Sequence, residues 1–165
     1  MQVQENVSLK QYNTFGIEAS ARWFSSFTSQ HELQELLALQ QQKSTNRLIL
    51  GGGSNMLLTK DVDGIVMKNK VKGIEVVNED NEFIYLRSGA GENWHQLVQY
   101  TVQQNWGGLE NLSLIPGNVG ASPMQNIGAY GVEIKEVMYE LQAWHIHDQQ
   151  LVTFSNADCE FGYRE

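Results

Sequence analysis

The sequence predicts an α+β fold, and three stretches carry that prediction. Residues 29–43, SQHELQELLALQQQK, place leucines at helical spacing behind an S-x-x-E capping box formed by Ser29 and Glu32. Residues 73–91 alternate apolar and polar side chains on both sides of NEDNE, a pattern typical of a β-hairpin. Residues 48–58, LILGGGSNMLL, set a glycine loop between two short apolar runs.

The other elements follow from the same two periodicities. The runs RLIL and NMLL, and GIVMKN after them, predict strands, so helix, strand, glycine loop and strand form a unit that ends near Asn69. Residues 92–106 have apolar side chains at helical spacing, and residues 136–155 predict two strands joined at HDQQ. We therefore expect a small α/β lobe over residues 1–69 and a second α+β lobe over residues 70–165.

Composition excludes several classes of protein. The chain has 165 residues, 41% hydrophobic and 18% charged, which is typical of a globular protein of one or two small domains. A net charge of -8 without a basic run argues against a nucleic-acid partner. Cys159 is the single cysteine, so an internal disulfide is excluded. The N-terminus lacks a signal peptide, and no apolar run approaches the roughly 18–20 residues of a membrane span, so we expect a cytoplasmic protein with no membrane association.

The first loop, residues 51–55 (GGGSN), matches neither common phosphate-binding motif. A P-loop needs a lysine followed by serine or threonine, and a Rossmann fingerprint needs glycine where Met56 stands. Glycine nevertheless lets the backbone adopt positive φ and approach a ligand closely. Successive N–H groups can then converge on an anion, with Ser54 and Asn55 adding side-chain donors. The pattern suits a pyrophosphate in an acidic chain; the alternative is a tight turn without a ligand.

The second loop, residues 115–131 (IPGNVGASPMQNIGAYG), interleaves glycines with apolar side chains. A loop of this length without secondary structure is uncommon and is often functional. An apolar surface lined by glycines suits a flat aromatic ligand. The alternative is a buried crossover loop that packs on the sheet.

Five segments, in this order, resemble the UDP-N-acetylenolpyruvoylglucosamine reductases: NTFGI at 13–17, LILGGGSNMLL at 48–58, GAGENWHQLV at 89–98, GLENLSLIPGNVGASPMQNIGAYGVE at 108–133 and FGYRE at 161–165. The resemblance implies an FAD-binding fold of the vanillyl-alcohol-oxidase/PCMH type with two α+β lobes. It also implies a cytoplasmic flavoenzyme that uses FAD and NADPH and needs no obligate protein partner. Its reaction reduces the enolpyruvyl group of a UDP-sugar to give UDP-N-acetylmuramate for peptidoglycan.

The resemblance also assigns roles to individual residues. In the family the first loop holds the FAD pyrophosphate, here Gly51, Gly52, Gly53, Ser54, Asn55 and the adjoining Met56. The second loop lines the flavin and the dinucleotide, here Ile115, Pro116, Gly117, Gly120, Ala121, Ser122, Asn126, Gly128, Ala129 and Gly131. The substrate would contact Tyr130, Tyr163 and Arg164. The guanidinium of Arg164 would act in catalysis, because it can stabilise the negative charge that develops on the substrate carboxylate.

The chain departs from the family in length. The family enzyme is considerably longer, and its proton-donating serine and its glutamate have no counterpart here. We therefore expect an FAD-binding fragment, truncated at its C-terminus, without reductase turnover of its own. Two alternatives remain open: a stand-alone flavin-binding module, and a different FAD-linked oxidase.

Other reactive side chains carry no predicted site. His145 and His147 form an H-x-H pair on a predicted strand, which is at most half of a metal site, so no metal is expected. Cys159 has no neighbouring base in the sequence, so we expect an inert thiol.

Overall fold

A computed structural model describes residues 2–163 of the chain. In chain order its elements are β1 (Gln4–Ser8), β2 (Ser20–Phe27), α1 (Gln30–Gln42), β3 (Asn46–Leu50), β4 (Val62–Asn69), β5 (Ile74–Glu79), β6 (Ile84–Ser88), α2 (Trp94–Gln103), β7 (Gly128–Ala129), β8 (Val132–Glu133), β9 (Glu140–His145) and β10 (Gln150–Ser155). Short 3-10 turns lie between several of them. Neither α-helix of this described part is long and apolar enough to cross a bilayer.

The main sheet has four strands in the order β1-β2-β4-β3. Strand β1 runs antiparallel to β2, whereas β2, β4 and β3 are parallel to one another. Helix α1 connects β2 to β3, and residues 51–61 connect β3 to its neighbour β4 without a helix. The first loop therefore leaves the sheet at the carboxyl end of β3, an edge where ligands commonly bind in sheets of parallel strands.

The central strand β4 is buried on both faces, which explains its unbroken apolar run. Val66 packs on one face in a cluster with Leu9, Ala21, Phe24 and Leu50. Ile65 and Met67 point to the opposite face, where Phe27, Leu36 and Leu37 cover them. This alternation is the period of two that a strand imposes on its side chains. Helix α1 thus covers one face, while residues near the chain start and Met56 cover the other.

A third apolar cluster holds together the region after β6. Trp94, Leu97 and Val98 of helix α2 pack against Leu112 and Ile134. The indole N–H of buried Trp94 donates to the carbonyl of Leu112 at 2.7 Å, so its one polar atom is satisfied. This cluster positions the second loop, because Ile115, Val119 and Ile127 pack against its edge.

Most predicted elements are confirmed. Helix α1 begins after Ser29, whose hydroxyl accepts the N–H of Glu32 at 3.2 Å as a capping residue should. The Glu32 carboxylate bonds back to the N–H of Thr28 at 2.6 Å, one residue earlier than a strict capping box requires. The hairpins β5–β6 and β9–β10 and helix α2 lie where the periodicity indicated. The division into lobes at residue 69 stays a prediction.

Two predictions about strands are wrong. The run NMLL, residues 55–58, forms no strand; Met56 and Leu58 instead pack on the sheet from within the 51–61 connection. An apolar run can cover a sheet face without pairing in it, and its composition does not distinguish the two cases. Strand β9 ends at His145, so His147 lies in the turn and the two histidines do not share a strand face.

Glu92 joins three segments near the second loop. Its carboxylate accepts the N–H of Gly73 at 2.8 Å and the ammonium of Lys72 at 3.0 Å. Its backbone carbonyl accepts the N–H of Val119 at 2.9 Å. The hydrogen bond from Gly73 and then the Lys72 charge lower the pKa of Glu92 below its ordinary value.

Replacing Glu92→Gln should reduce the free energy of unfolding at neutral pH by about 1–2 kcal/mol, because glutamine offers one acceptor oxygen in place of two, so the ion pair with Lys72 and one of the two hydrogen bonds are lost. The folded-state pKa is lowered, so the carboxylate's contribution is present above its unfolded pKa of about 4.3 and is lost as pH falls through the folded value. Urea unfolding at neutral and strongly acidic pH should therefore show the difference between wild type and variant shrinking in acid.

The matched control is Glu75→Gln, which removes an exposed carboxylate paired with Arg87 at 3.0 Å. We expect it to change stability by no more than about 0.5 kcal/mol. A Glu92→Gln loss that stays constant down to strongly acidic pH would contradict the role given to the carboxylate.

Candidate functional site

Two glycines of the first loop, Gly52 and Gly53, pack so closely on their neighbours that a side chain would not fit without displacing them. Gly53 has φ +68°, and a Cβ there would lie 2.0 Å from the carbonyl oxygen of Tyr12. A Cβ on Gly52 would lie 3.1 Å from both the Asn118 side-chain oxygen and the Cα of Gly117. Gly52 thus packs against residues 117–118 and Gly53 against residues 12–13, which explains these two glycines physically, whereas a Cβ on Gly51 would lie 4.0 Å from its nearest neighbour, the Asn118 Cβ.

Hydrogen bonds orient the peptides of this loop. The carbonyl of Gly53 accepts the N–H of Thr14 at 3.1 Å. Within residues 2–163, no protein acceptor is found for the N–H groups of Gly52, Ser54 and Asn55. Backbone N–H groups normally find a partner, and several unbonded ones in a glycine turn form a concavity suited to an anion.

The second loop is tied to the turn before helix α2. The N–H of Trp94 donates to Gly117 at 3.0 Å, and the N–H of Gly120 donates to Ala90 at 2.9 Å. A Cβ on Gly120 would lie 2.6 Å from the Cβ of Ala90, so this glycine is required by packing. The start of the second loop is therefore fixed by the backbone of residues 90–94.

The two loops meet and form one surface. The Asn55 side-chain amide donates to the Gln125 side-chain oxygen at 2.7 Å. A Cβ on Gly117, whose φ is +126°, would lie 3.1 Å from the Ser54 hydroxyl. The sequence places no charged side chain in 51–56 or 115–131, so this surface offers dipoles rather than charges.

The remaining predicted site residues differ in how far they are exposed to solvent. Gly51, Ile115 and Met56 are half-buried, and Pro116 and Ala121 are exposed. Ser122 is buried, and its hydroxyl donates to the carbonyl of Val119 at 2.8 Å. The roles that the resemblance assigns to these residues stay predictions.

Asn126 is fully buried in a left-handed conformation with φ 40°. Its amide donates to the carbonyl of Gly162 at 2.8 Å, and its oxygen accepts the N–H of Lys135 at 3.2 Å. Both ends of this side chain therefore bind the protein backbone, and the contact with a cofactor predicted for Asn126 stays a prediction. The bond to Gly162 also places exposed Tyr163 directly after a residue anchored to the second loop.

Tyr130 lies in the turn between β7 and β8. Tyr130 and Gly131 both have positive φ, +54° and +81°, as a two-residue hairpin turn of type I′ requires. The Tyr130 side chain is 89% exposed at the tip, while Gly128 and Ala129 form the strand that leads to it. Arg164, the predicted catalytic residue, lies outside the residues that the structure describes.

Sequence reasoning missed three polar residues that hold the first loop in place. Buried Asn13 bonds through its side chain to Leu9 and Ile17, at 2.9–3.0 Å, and so shapes the turn that carries Thr14 to Gly53. Asn118, which lies against Gly52, donates its amide to Gly91 at 3.3 Å. Asn13 and Thr14 belong to the NTFGI segment and Asn118 to the second loop, so position in a recognised segment was the available signal.

A family model and curated relatives match this chain. A family model described as an FAD binding domain matches residues 24–152, which include both loops. Two curated relatives named UDP-N-acetylenolpyruvoylglucosamine reductase align over the whole chain, from Flavobacterium johnsoniae at 53% identity and from Pseudomonas putida at 50%. The chain spans about half the length of these relatives, 48% and 49% respectively.

A solved structure also matches this chain over its whole length. The crystal structure of UDP-N-acetylenolpyruvylglucosamine reductase from Thermus caldophilus superposes with a TM-score of 0.76 at 26% identity, covering 100% of this chain and 56% of that chain. The resemblance deduced from the motifs and the predicted α+β FAD-binding fold are therefore confirmed.

Substituting Gly53→Ala tests the close approach to Tyr12. Its control is Gly16→Ala, because Gly16 has a similar φ of +63° but a Cβ there would meet no atom within 4 Å. We expect Gly16→Ala to cost about 1–2 kcal/mol from the left-handed backbone alone. Gly53→Ala should exceed that loss by about 2 kcal/mol or more, since it adds overpacking against rigid backbone. Urea unfolding measures both, and equal losses would contradict the packing described.

Proposed function

Because this chain belongs to the FAD binding domain family, we propose that its two loops together hold FAD. The observation that carries the proposal is that N–H groups of the first loop, including those of Gly52, Ser54 and Asn55, have no acceptor in the described chain. A pyrophosphate needs several donors at close range, and glycines allow its oxygens to reach the backbone. The second loop supplies an apolar and neutral surface beside these donors, where an aromatic ring system can lie.

The residues fit the cofactor by charge as well as by shape. FAD carries a negative pyrophosphate, and neither loop contains a carboxylate that would repel it. Backbone donors cost no desolvation of a cationic side chain, which suits a chain with net charge -8. The chemistry that FAD supplies when bound is hydride transfer.

We further propose that the protein takes part in an NADPH-dependent reduction of the enolpyruvyl group of UDP-N-acetylglucosamine enolpyruvate. Support comes from the names of the relatives and from the length over which they align. In this proposal Tyr130, Tyr163 and Arg164 face the UDP-sugar, and Arg164 pairs with its carboxylate to stabilise developing negative charge. The activity belongs to peptidoglycan synthesis in the cytoplasm and needs no protein partner.

Titration of the purified chain with FAD tests the cofactor proposal, with flavin absorbance and fluorescence as the signals. We expect saturable binding by the wild type. Gly52→Ala should weaken it about tenfold or more, because a methyl group at 3.1 Å from Asn118 and Gly117 pushes the two loops apart. The control Gly107→Ala, whose Cβ would meet no atom within 4 Å, should bind FAD like the wild type.

A wild-type chain that is folded but leaves the flavin signal unchanged would overturn the cofactor proposal. The reductase proposal has a separate test, which is NADPH oxidation that depends on the enolpyruvyl substrate. FAD binding without such oxidation, in a polypeptide of the relatives' full length, would favour a flavin-binding module instead.

A further inference from the structure

The Lys68 side chain contacts the first residue of the first loop. It lies in strand β4 opposite Leu50 and on the same face as Val66, two residues before it. Its ammonium donates to the carbonyl of Gly51, the first residue of the loop. The side chain is half-buried, so this contact is part of the packed structure rather than a solvent-exposed one.

Lys68 holds this position at an electrostatic cost. Among residues 2–163, no carboxylate lies within ion-pair distance of its ammonium, whereas nearby Lys72 is paired with Glu92. Burial first, and then the charges of Lys70 and Lys72, lower the pKa of Lys68 below its ordinary value. A cation kept half-buried without a carboxylate partner points to a role beyond filling the sheet surface.

The contact with Gly51 determines where the next donor points. In a trans peptide the C=O and the following N–H point in opposite directions. A Gly51 carbonyl that accepts from Lys68 therefore turns the N–H of Gly52 away from the Lys68 ammonium. That N–H is one of the donors without an acceptor in the described chain. A cation on the carbonyl also polarises the peptide and makes its N–H a stronger donor.

We propose that Lys68 is a positioning residue that fixes the Gly51–Gly52 peptide so that the Gly52 N–H binds the cofactor pyrophosphate. The inference rests on the proposed function, namely FAD in the first loop. It adds a charged side chain from outside both glycine loops, one that acts through a backbone group rather than by touching the phosphate. In the same way, the hydrogen bond from the Thr14 N–H to the Gly53 carbonyl fixes the Gly53–Ser54 peptide and so orients the N–H of Ser54.

The test compares FAD affinity in Lys68→Met, Lys68→Arg and the control Lys70→Met. The control removes the same charge from an exposed lysine two residues further along the chain. We expect Lys68→Met to weaken FAD binding about tenfold at both low and high salt, because a half-buried contact is poorly screened. Lys68→Arg should recover most of the affinity, and Lys70→Met should have a small effect that salt abolishes. Lys68→Leu, which also lacks a donor, replaces the methionine variant if that variant folds poorly.

A second readout needs no cofactor. In the FAD-free protein, the backbone amide of Gly52 should shift in the NMR spectrum and exchange its hydrogen at a different rate in Lys68→Met, but not in Lys70→Met. Wild-type affinity in Lys68→Met, or equal losses in both methionine variants, would overturn the role of Lys68 while leaving FAD binding intact. A wild type that binds no FAD overturns the proposed function itself, and the role of Lys68 with it.

Discussion

The candidate site depends on the close approach of three stretches of backbone. Gly52 passes against Gly117 and Gly53 against Tyr12, at distances that leave too little room for a Cβ. Each neighbour is itself anchored: Asn13 fixes the turn after Tyr12, and Trp94 binds the carbonyl of Gly117. Because packed interiors yield little, a methyl group added here would displace backbone rather than a flexible side chain. The shape of the surface proposed to bind the pyrophosphate thus follows from packing within the protein itself.

This packing also decides which peptide groups face the ligand. Two carbonyls of the first loop are taken by protein donors, Gly51 by Lys68 and Gly53 by Thr14. The N–H groups that follow them are left for an outside acceptor. A site of this kind is already organised before a ligand arrives, so little ordering entropy is lost on binding. Donors that are held in place by the sheet are also better directed than donors on a flexible side chain.

Local patterns in the sequence were sufficient for the regular elements and insufficient for the site geometry. Helix α1 and the hairpins β5–β6 and β9–β10 each repeat one periodicity over many residues. The local pattern and the tertiary contacts therefore favour the same secondary structure. The strand prediction for NMLL was wrong because apolar composition indicates that a segment is buried but not whether it pairs with a neighbouring strand. The glycines of the first loop could be read as a loop, yet the partners that make them necessary lie about 40 and 65 residues away in the chain. Lys68 gave no signal at all, since a lysine in a strand is ordinarily a solvated residue.

The net charge of -8 and the proposed binding of an anion are compatible, because net charge and local hydrogen bonds act over different distances. The exposed carboxylates act through water and salt, where charges more than about 8 Å apart are largely screened. Peptide N–H groups act on an anion at hydrogen-bond distance, where screening is weak, and Lys68 acts through one of these peptides by its bond to the Gly51 carbonyl. The field that a pyrophosphate meets at the first loop is therefore set by the orientation of a few peptides and one lysine. Net charge governs how the chain behaves in solution, and the local backbone governs what it binds.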